Sequence, residues 1–175
     1  MSEARSKRLV SYPLYTIGDF AGGMFTVTPS ILLMFYMTNI LGVPIALATT
    51  AAVLPKIFDL ISSPFIGTIS DRTRSRLGRR RPYILFAAVT ICPTFALMWI
   101  APFQEPVASA WFIMIVFIVA TFCFNSFVIP FFALSAEIAT SYHDRTALNS
   151  IRASYAMVGC LVAGAASPLI VAMAG

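Results

Sequence analysis

Two long apolar segments of this 175-residue chain are joined by the stretch Gly67-Thr-Ile-Ser-Asp71-Arg72-Thr-Arg-Ser-Arg76-Leu-Gly78-Arg79-Arg80-Arg81-Pro82. This stretch carries six arginines, whereas no ionisable Asp, Glu, Lys, Arg or His lies between Arg81 and Glu105 or between Glu105 and Glu137. Each charge-free interval is long enough for the roughly 20 apolar residues that a membrane-spanning helix requires. The pattern therefore predicts an all-α membrane protein.

The composition supports this prediction, since 59% of the residues are hydrophobic and only 11% are charged, against roughly 25% charged in soluble domains. Further charge-free intervals separate Asp19 from Lys56 and follow Arg152. The first of these is long enough for most of two helices, with a break at the Gly and Pro of residues 39–44. After an amino terminus of residues 1–11, we predict five transmembrane helices within residues 12–175, with spans near 12–39, 45–70, 82–101, 107–134 and 146–174.

Basic residues are confined to alternate loops of this topology. Ten of them lie in the amino terminus, in the loop between spans two and three, and in the loop between spans four and five, whereas the opposite loops contain only Glu105. Because Lys and Arg concentrate on the cytoplasmic side, we predict a multi-pass protein of the cytoplasmic (inner) membrane with a cytoplasmic amino terminus. The net charge of +5 then reflects topology and contact with anionic lipid, and requires no nucleic-acid partner.

Four ionisable residues fall inside the predicted spans: Asp19, Lys56, Asp59 and Arg152. A charge at the centre of a spanning helix costs roughly 2.5–3.5 kcal/mol, so these residues are expected to face the bundle interior. Two interpretations follow and are compatible with each other. Lys56–Asp59 and Asp19–Arg152 are structural ion pairs, or the four residues line a polar cavity that binds a cation or a polar solute.

Spacing adds neighbours to these charges. Lys56, Asp59 and Ser63 follow one another at i, i+3 and i+7 and so share one face of the second span, and span four contributes Asn125. The chain has a single histidine, three dispersed cysteines and no evident nucleophile–base set within the spans. We therefore expect no metal site, no cofactor and no enzymatic activity.

Several motifs resemble the glycoside–pentoside–hexuronide:cation symporters of the major facilitator superfamily, over residues 9 to 175. They are Tyr15-Thr-Ile-Gly-Asp19, Lys56-Ile-Phe-Asp59 with the following Pro64 and Gly67, residues 71–83, and Pro130-Phe-Phe-Ala-Leu-Ser-Ala-Glu137. The resemblance implies a partial amino-terminal half of a major facilitator bundle. It also implies secondary active transport, in which a cation and a sugar or sugar-derived solute cross the membrane together (symport).

Most site residues follow from the same resemblance, and Ser63 and Asn125 are added as polar neighbours on spans two and four. Asp59, Lys56 and Ser63 are assigned to cation coupling, and Asp19, Asn125 and Arg152 to substrate binding. Because Ser63 stands where the family has a second carboxylate, coupling to a proton is favoured over coupling to sodium. A cytoplasmic gate, in which glycine permits close helix contact and salt bridges break and reform, is assigned to Gly67, Asp71, Arg72, Arg76, Gly78, Arg79 and Arg80.

Five spans are fewer than the six of one major facilitator half. We expect the chain to be the amino-terminal portion of a longer protein or a truncated product, with a carboxy-terminal half or a second protomer as partner. The polar face lined by Asp19, Asp59, Asn125 and Arg152 would then lie open. Two alternatives remain: a short transporter that acts as an oligomer, and a non-transporting membrane scaffold or assembly subunit.

Overall fold

A computed structural model of the protein describes residues 2–73, 81–100, 102–138 and 142–174. These residues form five α-helices and no strand, so the all-α class is confirmed. Three segments are long and apolar enough to cross a membrane, Thr16–Ile40, Ile45–Arg72 and Pro106–Leu134, and Pro82–Leu97 is a shorter apolar helix. The helices are α1 (Ser2–Phe35), α2 (Ile45–Arg72), α3 (Arg81–Leu97), α4 (Pro106–Ile138) and α5 (Tyr142–Ala174).

The chain turns between α1 and α2 through a π-helical segment, Tyr36–Ile40, followed by a glycine and a proline. Gly42 adopts a positive φ of 66°, a conformation that costs glycine little because it has no Cβ. The backbone N–H of Val43 donates to the carbonyl of Met37 at 2.9 Å, and Pro44, with φ −55°, is the N-cap residue directly before α2. The sequence-level signal of Gly and Pro thus marks the actual turn.

The helices divide into two compact units. One consists of Leu33–Leu134 and has an apolar core of packed side chains, including Leu33, Met37, Met98 and Ile113, each at most 1% exposed. At the edge of this core the Tyr36 hydroxyl donates to the Trp99 carbonyl at 3.0 Å, which ties the π-helical segment after α1 to the turn after α3.

The second unit consists of Met1–Leu32 and Ser135–Gly175 and brings α1 against α5. Two glycines make this contact very close. A Cβ placed on Gly159 would overlap the backbone carbonyl of Phe20, and one on Gly23 would overlap the carbonyl of Ala156. Small residues let membrane helices approach to backbone contact, and here this contact holds α5 beside the acidic turn of α1.

Candidate functional site

The first polar cluster lies in the unit formed by α1 and α5 and joins two charges assigned to substrate binding. Arg152 Nε donates to Asp19 Oδ2 at 2.9 Å and Arg152 Nη2 donates to Asp19 Oδ1 at 3.0 Å. Both residues are only 9% exposed. A bidentate guanidinium–carboxylate pair is strong and directional, so the two charges compensate each other inside a predicted span.

The geometry of α1 and α5 explains why these two side chains meet. Asp19 lies one turn before Gly23, and Arg152 lies about two turns before Gly159. Because the glycines hold the two backbones in contact, the long arginine side chain reaches a carboxylate on the neighbouring helix. The ion pair suggested by the sequence is therefore present.

The second polar cluster lies in the Leu33–Leu134 unit, between α2 and α4. Asn125 Nδ2 donates to Asp59 Oδ1, and lies 3.5 Å from Ser62 Oγ and 3.4 Å from Ser63 Oγ. The Ser63 hydroxyl donates to the Asp59 carbonyl at 2.7 Å and lies 3.3 Å from Asp59 Oδ1. One carboxylate, two hydroxyls and one carboxamide are thus gathered at a single point.

This arrangement differs from the sequence assignment in two respects. Asn125, assigned to substrate binding, contacts the residues assigned to cation coupling. Ser62 was missed, although it is 7% exposed and belongs to the cluster. Its position three residues after Asp59 was the available signal, since residues at i and i+3 adjoin on a helix.

Lys56 does not join the cluster. Its side chain is exposed, and within the described part of the chain it forms no hydrogen bond or ion pair with Asp59. The suggested Lys56–Asp59 pair is therefore wrong for this structure, because the Asp59 carboxylate turns towards Asn125 on α4. Helical spacing placed the two residues on one side of α2, but neighbouring helices decided which way each side chain pointed.

The open polar face expected from the sequence is lined by residues of both units and stays a prediction. Asp19, Asn125 and Arg152 are all buried, and Asp59 is half-buried. Each is engaged by a partner within its own unit. Whether the two clusters belong to one cavity stays a prediction.

The residues assigned to the gate are described in part. Gly67 faces α4, where an added Cβ would lie 3.8 Å from Ile129 Cγ2, an ordinary van der Waals contact. The close helix contact expected at Gly67 is therefore looser than at Gly23 or Gly159. Asp71 and Arg72 are exposed at the end of α2. Four assigned residues lie outside the described part of the chain: Arg76, Gly78, Arg79 and Arg80.

Metal-ligand residues are scattered in the described ranges. No group of three or more His, Cys, Asp or Glu side chains gathers there. The Asp59 cluster instead offers hard oxygen atoms and a single carboxylate. Such a group is able to take up a proton, and oxygen donors of this kind also suit alkali cations.

Residues 14–175 match the family described as MFS/sugar transport protein. An uncharacterized symporter of Synechocystis sp. is 34% identical over 85% of this chain and 28% of its own length. The inner membrane symporter YicJ of Escherichia coli is 30% identical over 83% of this chain and 32% of its own length. An isoprimeverose transporter of Lactiplantibacillus pentosus is 25% identical over 92% of this chain and 34% of its own length.

The chain thus spans about a third of the length of the curated relatives it matches. Their names are those of transporters rather than enzymes, in agreement with the prediction of no enzymatic activity. The family match covers nearly all the described helices, so the protein is integral to a membrane. The chain therefore belongs to the MFS/sugar transport protein family, among the glycoside–pentoside–hexuronide:cation symporters that its motifs indicate.

Proposed function

We propose that this chain contributes to secondary active transport, as part of a symporter that couples a cation to a sugar or sugar-derived solute. The observation that carries the proposal is the Asp59 carboxylate, which lies inside a membrane span, accepts a hydrogen bond from Asn125 and lies 3.3 Å from the Ser63 hydroxyl. Intramembrane ionisable groups are costly and commonly mark ion and substrate pathways. Membership of a sugar transport family supports the same conclusion.

Asp59, with Ser63, is the coupling group in this proposal. A lone carboxylate is sufficient to bind and release a proton, whereas a sodium ion requires several oxygen ligands at once. In the cluster, Asn125 presents its amide nitrogen to Asp59, which leaves fewer oxygens directed at a common point. Both features favour proton coupling over sodium coupling.

Asp19 and Arg152 bind the solute in this proposal, whereas Asn125, which the sequence assigned to the solute, contacts Asp59 instead. Sugars present adjacent hydroxyl groups, each able to donate to a carboxylate and accept from a guanidinium. Solute hydroxyls would therefore compete with the Asp19–Arg152 hydrogen bonds and replace them one for one. Such an exchange links binding to movement of α1 against α5, because the same bonds join these helices.

The topology of the proposal places the amino terminus and the α2–α3 loop in the cytoplasm. The six arginines at 72–81 support this orientation through the positive-inside rule. Asp71 and Arg72, at the end of α2, then lie on the cytoplasmic side, and the sequence adds the assigned gate arginines Arg76, Arg79 and Arg80. Salt bridges between them and the adjoining helices would break as the pathway opens to the cytoplasm.

Uptake by the full-length gene product in proteoliposomes tests this function. A panel of labelled sugars, uronides and glycosides is offered under an imposed proton gradient, an imposed sodium gradient, or neither. We expect accumulation of at least one solute under the proton gradient. Accumulation driven by sodium alone would overturn the proton assignment, and no gradient-driven accumulation of any solute would favour the scaffold alternative.

A further inference from the structure

Lys56 carries an exposed ammonium group in the interior of a membrane-spanning helix. The helix, Ile45–Arg72, is long and apolar enough to cross a membrane. Lys56 lies 11 residues after its first residue, about 16 Å along the axis, whereas the hydrocarbon core of a bilayer is about 30 Å thick. The side chain forms no hydrogen bond or ion pair with any residue that the structure describes. Its charge is therefore left without a partner at a depth where charge is costly.

The face of α2 that carries Lys56 is more polar than the opposite face. Thr49, Lys56 and Ser63 recur every seven residues, which is close to two helical turns, so the three residues form a stripe along the helix. On the other side of α2, Ile61 and Phe65 are 56% and 62% exposed. Hydrocarbon suits that apolar side, whereas a stripe with an ammonium group at its centre is suited to contact with protein.

The carboxylates of the described spans do not supply the counter-charge. Asp19 is bound through both of its oxygens by Arg152. Asp59 accepts its hydrogen bond from α4 and, in the proposed function, is neutral whenever it holds the proton. Asp71 lies at the end of α2, 15 residues from Lys56, or about 22 Å along the axis. One positive charge on α2 is thus uncompensated for part of the transport cycle.

Three other sources of negative charge fail on position, timing or supply. A lipid phosphate lies outside the hydrocarbon core, and Lys56 is too far from the helix ends to extend to it. An anionic solute leaves in every cycle, so the empty transporter would again hold an unpaired charge. A second copy of this chain would bring the same carboxylates, which are engaged or distant in the described spans.

The remaining source is the part of the transporter beyond this chain, which spans about a third of the length of its curated relatives. From this charge balance, we infer that a carboxylate on a membrane helix of the carboxy-terminal half packs against the stripe and pairs with Lys56. The inference rests on the proposed function, in which this chain is part of a longer symporter. The pair joins the two halves on the face of α2 beside the coupling group, three residues before Asp59.

A double-mutant cycle on the full-length protein, read by thermal unfolding in detergent, tests this inference. Each Asp and Glu in the membrane spans beyond residue 175 is changed to Asn or Gln, in the wild type and in Lys56→Gln. At one acid, neutralisation alone leaves the Lys56 charge uncompensated, and the melting temperature is expected to fall by about 5 °C. In Lys56→Gln the same change is expected to have little effect, so the two substitutions are not additive.

Two variants of the same stripe serve as controls. Lys56→Arg keeps the positive charge and is expected to keep the non-additive behaviour. Thr49→Ala changes an uncharged, exposed side chain on the same face and is expected to be additive with every acid. Additive effects of Lys56→Gln at every acid would overturn the inference. So would stabilisation of the wild type, but not of Lys56→Gln, by added glucuronate, because the ammonium would then belong to an anionic solute.

Melting temperatures do not depend on transport, so this test and the uptake test fail separately. A non-additive pair in a protein that accumulates no solute supports the pairing and rejects the proposed function. Gradient-driven uptake together with additive melting temperatures supports the proposed function and rejects the pairing. Dimers of the wild type that Lys56→Gln converts to monomers would also overturn the inference, because a second copy would then hold the ammonium.

Discussion

Arg152 of α5 binds both carboxylate oxygens of Asp19 of α1, although 133 residues separate them in the sequence. The pair is nearly enclosed, with 10% and 8% of the two side chains exposed. Its position beside the Gly23 and Gly159 contacts means that the same helix crossing carries a rigid backbone contact and a breakable ionic one. If α1 moves against α5 during transport, the glycine contact would stay in place while the ion pair breaks and reforms.

Replacing one residue of the Asp19–Arg152 pair is expected to lower the stability of the protein more than replacing both. Asp19→Asn or Arg152→Gln alone leaves a buried charge uncompensated, which costs about 3–5 kcal/mol. The double variant Asp19→Asn with Arg152→Gln is expected to recover much of that stability while remaining inactive in uptake. Thermal unfolding in detergent and solute uptake measure the two effects separately. Recovery of uptake by the double variant would mean that the pair is structural only.

Neutralising Asp59 is expected to separate transport from coupling. Asp59→Asn keeps the size of the side chain and its contact with Asn125, but a carboxamide does not bind a proton. Gradient-driven accumulation is expected to be abolished, whereas exchange of labelled for unlabelled solute continues. Ser62→Ala is the matched control, because it removes one hydroxyl of the cluster and leaves the carboxylate. Undiminished gradient-driven accumulation by Asp59→Asn would contradict the coupling role.

Adding a second carboxylate is expected to change the coupling ion. In Ser63→Asp the new group would stand one turn after Asp59, where two carboxylates and nearby hydroxyl oxygens favour an alkali cation. Stimulation of uptake by sodium is expected to appear, with an apparent affinity gain of about tenfold, or about 1.4 kcal/mol. Ser63→Asn has the same size without the charge and should not respond. If both variants respond to sodium alike, charge at residue 63 does not determine the ion.

Two glycine substitutions are expected to differ sharply in stability. A Cβ on Gly159 would overlap the backbone carbonyl of Phe20, which is not free to move aside, whereas one on Gly164 meets nothing within 4 Å. Gly159→Ala is therefore expected to destabilise by about 1–3 kcal/mol, the usual cost of overpacking. Gly164→Ala, on the same helix, should be neutral or slightly stabilising because alanine favours helix. Thermal unfolding of the two variants in detergent provides the comparison, and similar melting temperatures would argue against the close α1–α5 contact.

The proposed orientation predicts which loops are accessible from each side of the membrane. A single cysteine at Ser75, in the α2–α3 loop, is expected to react with a membrane-impermeant maleimide only after the cytoplasmic face is exposed. A cysteine at Gln104, in the α3–α4 loop, should react in intact cells. Both variants are made in a background with Cys92, Cys123 and Cys160 replaced. The reverse labelling pattern would invert the topology.

What the sequence determined by itself is the set of helices and the chemical class of the protein. Intervals without charge, the turn at Gly42 and Pro44, and the run of arginines each act locally, through the cost of placing polar groups in lipid. For that reason these signals predict the helices without any knowledge of the neighbouring helices. The same local logic correctly marked Asp19, Asp59 and Arg152 as groups that need partners.

Tertiary structure alone decided which partners they found. The sequence suggested two ion pairs, Lys56–Asp59 and Asp19–Arg152. Only the second pair forms. The difference arises because Gly23 and Gly159 bring α1 and α5 into contact, while Asn125 on α4 approaches Asp59 and leaves Lys56 exposed. Contacts between helices depend on which backbones come close, and that is a property of the packed bundle rather than of any one segment.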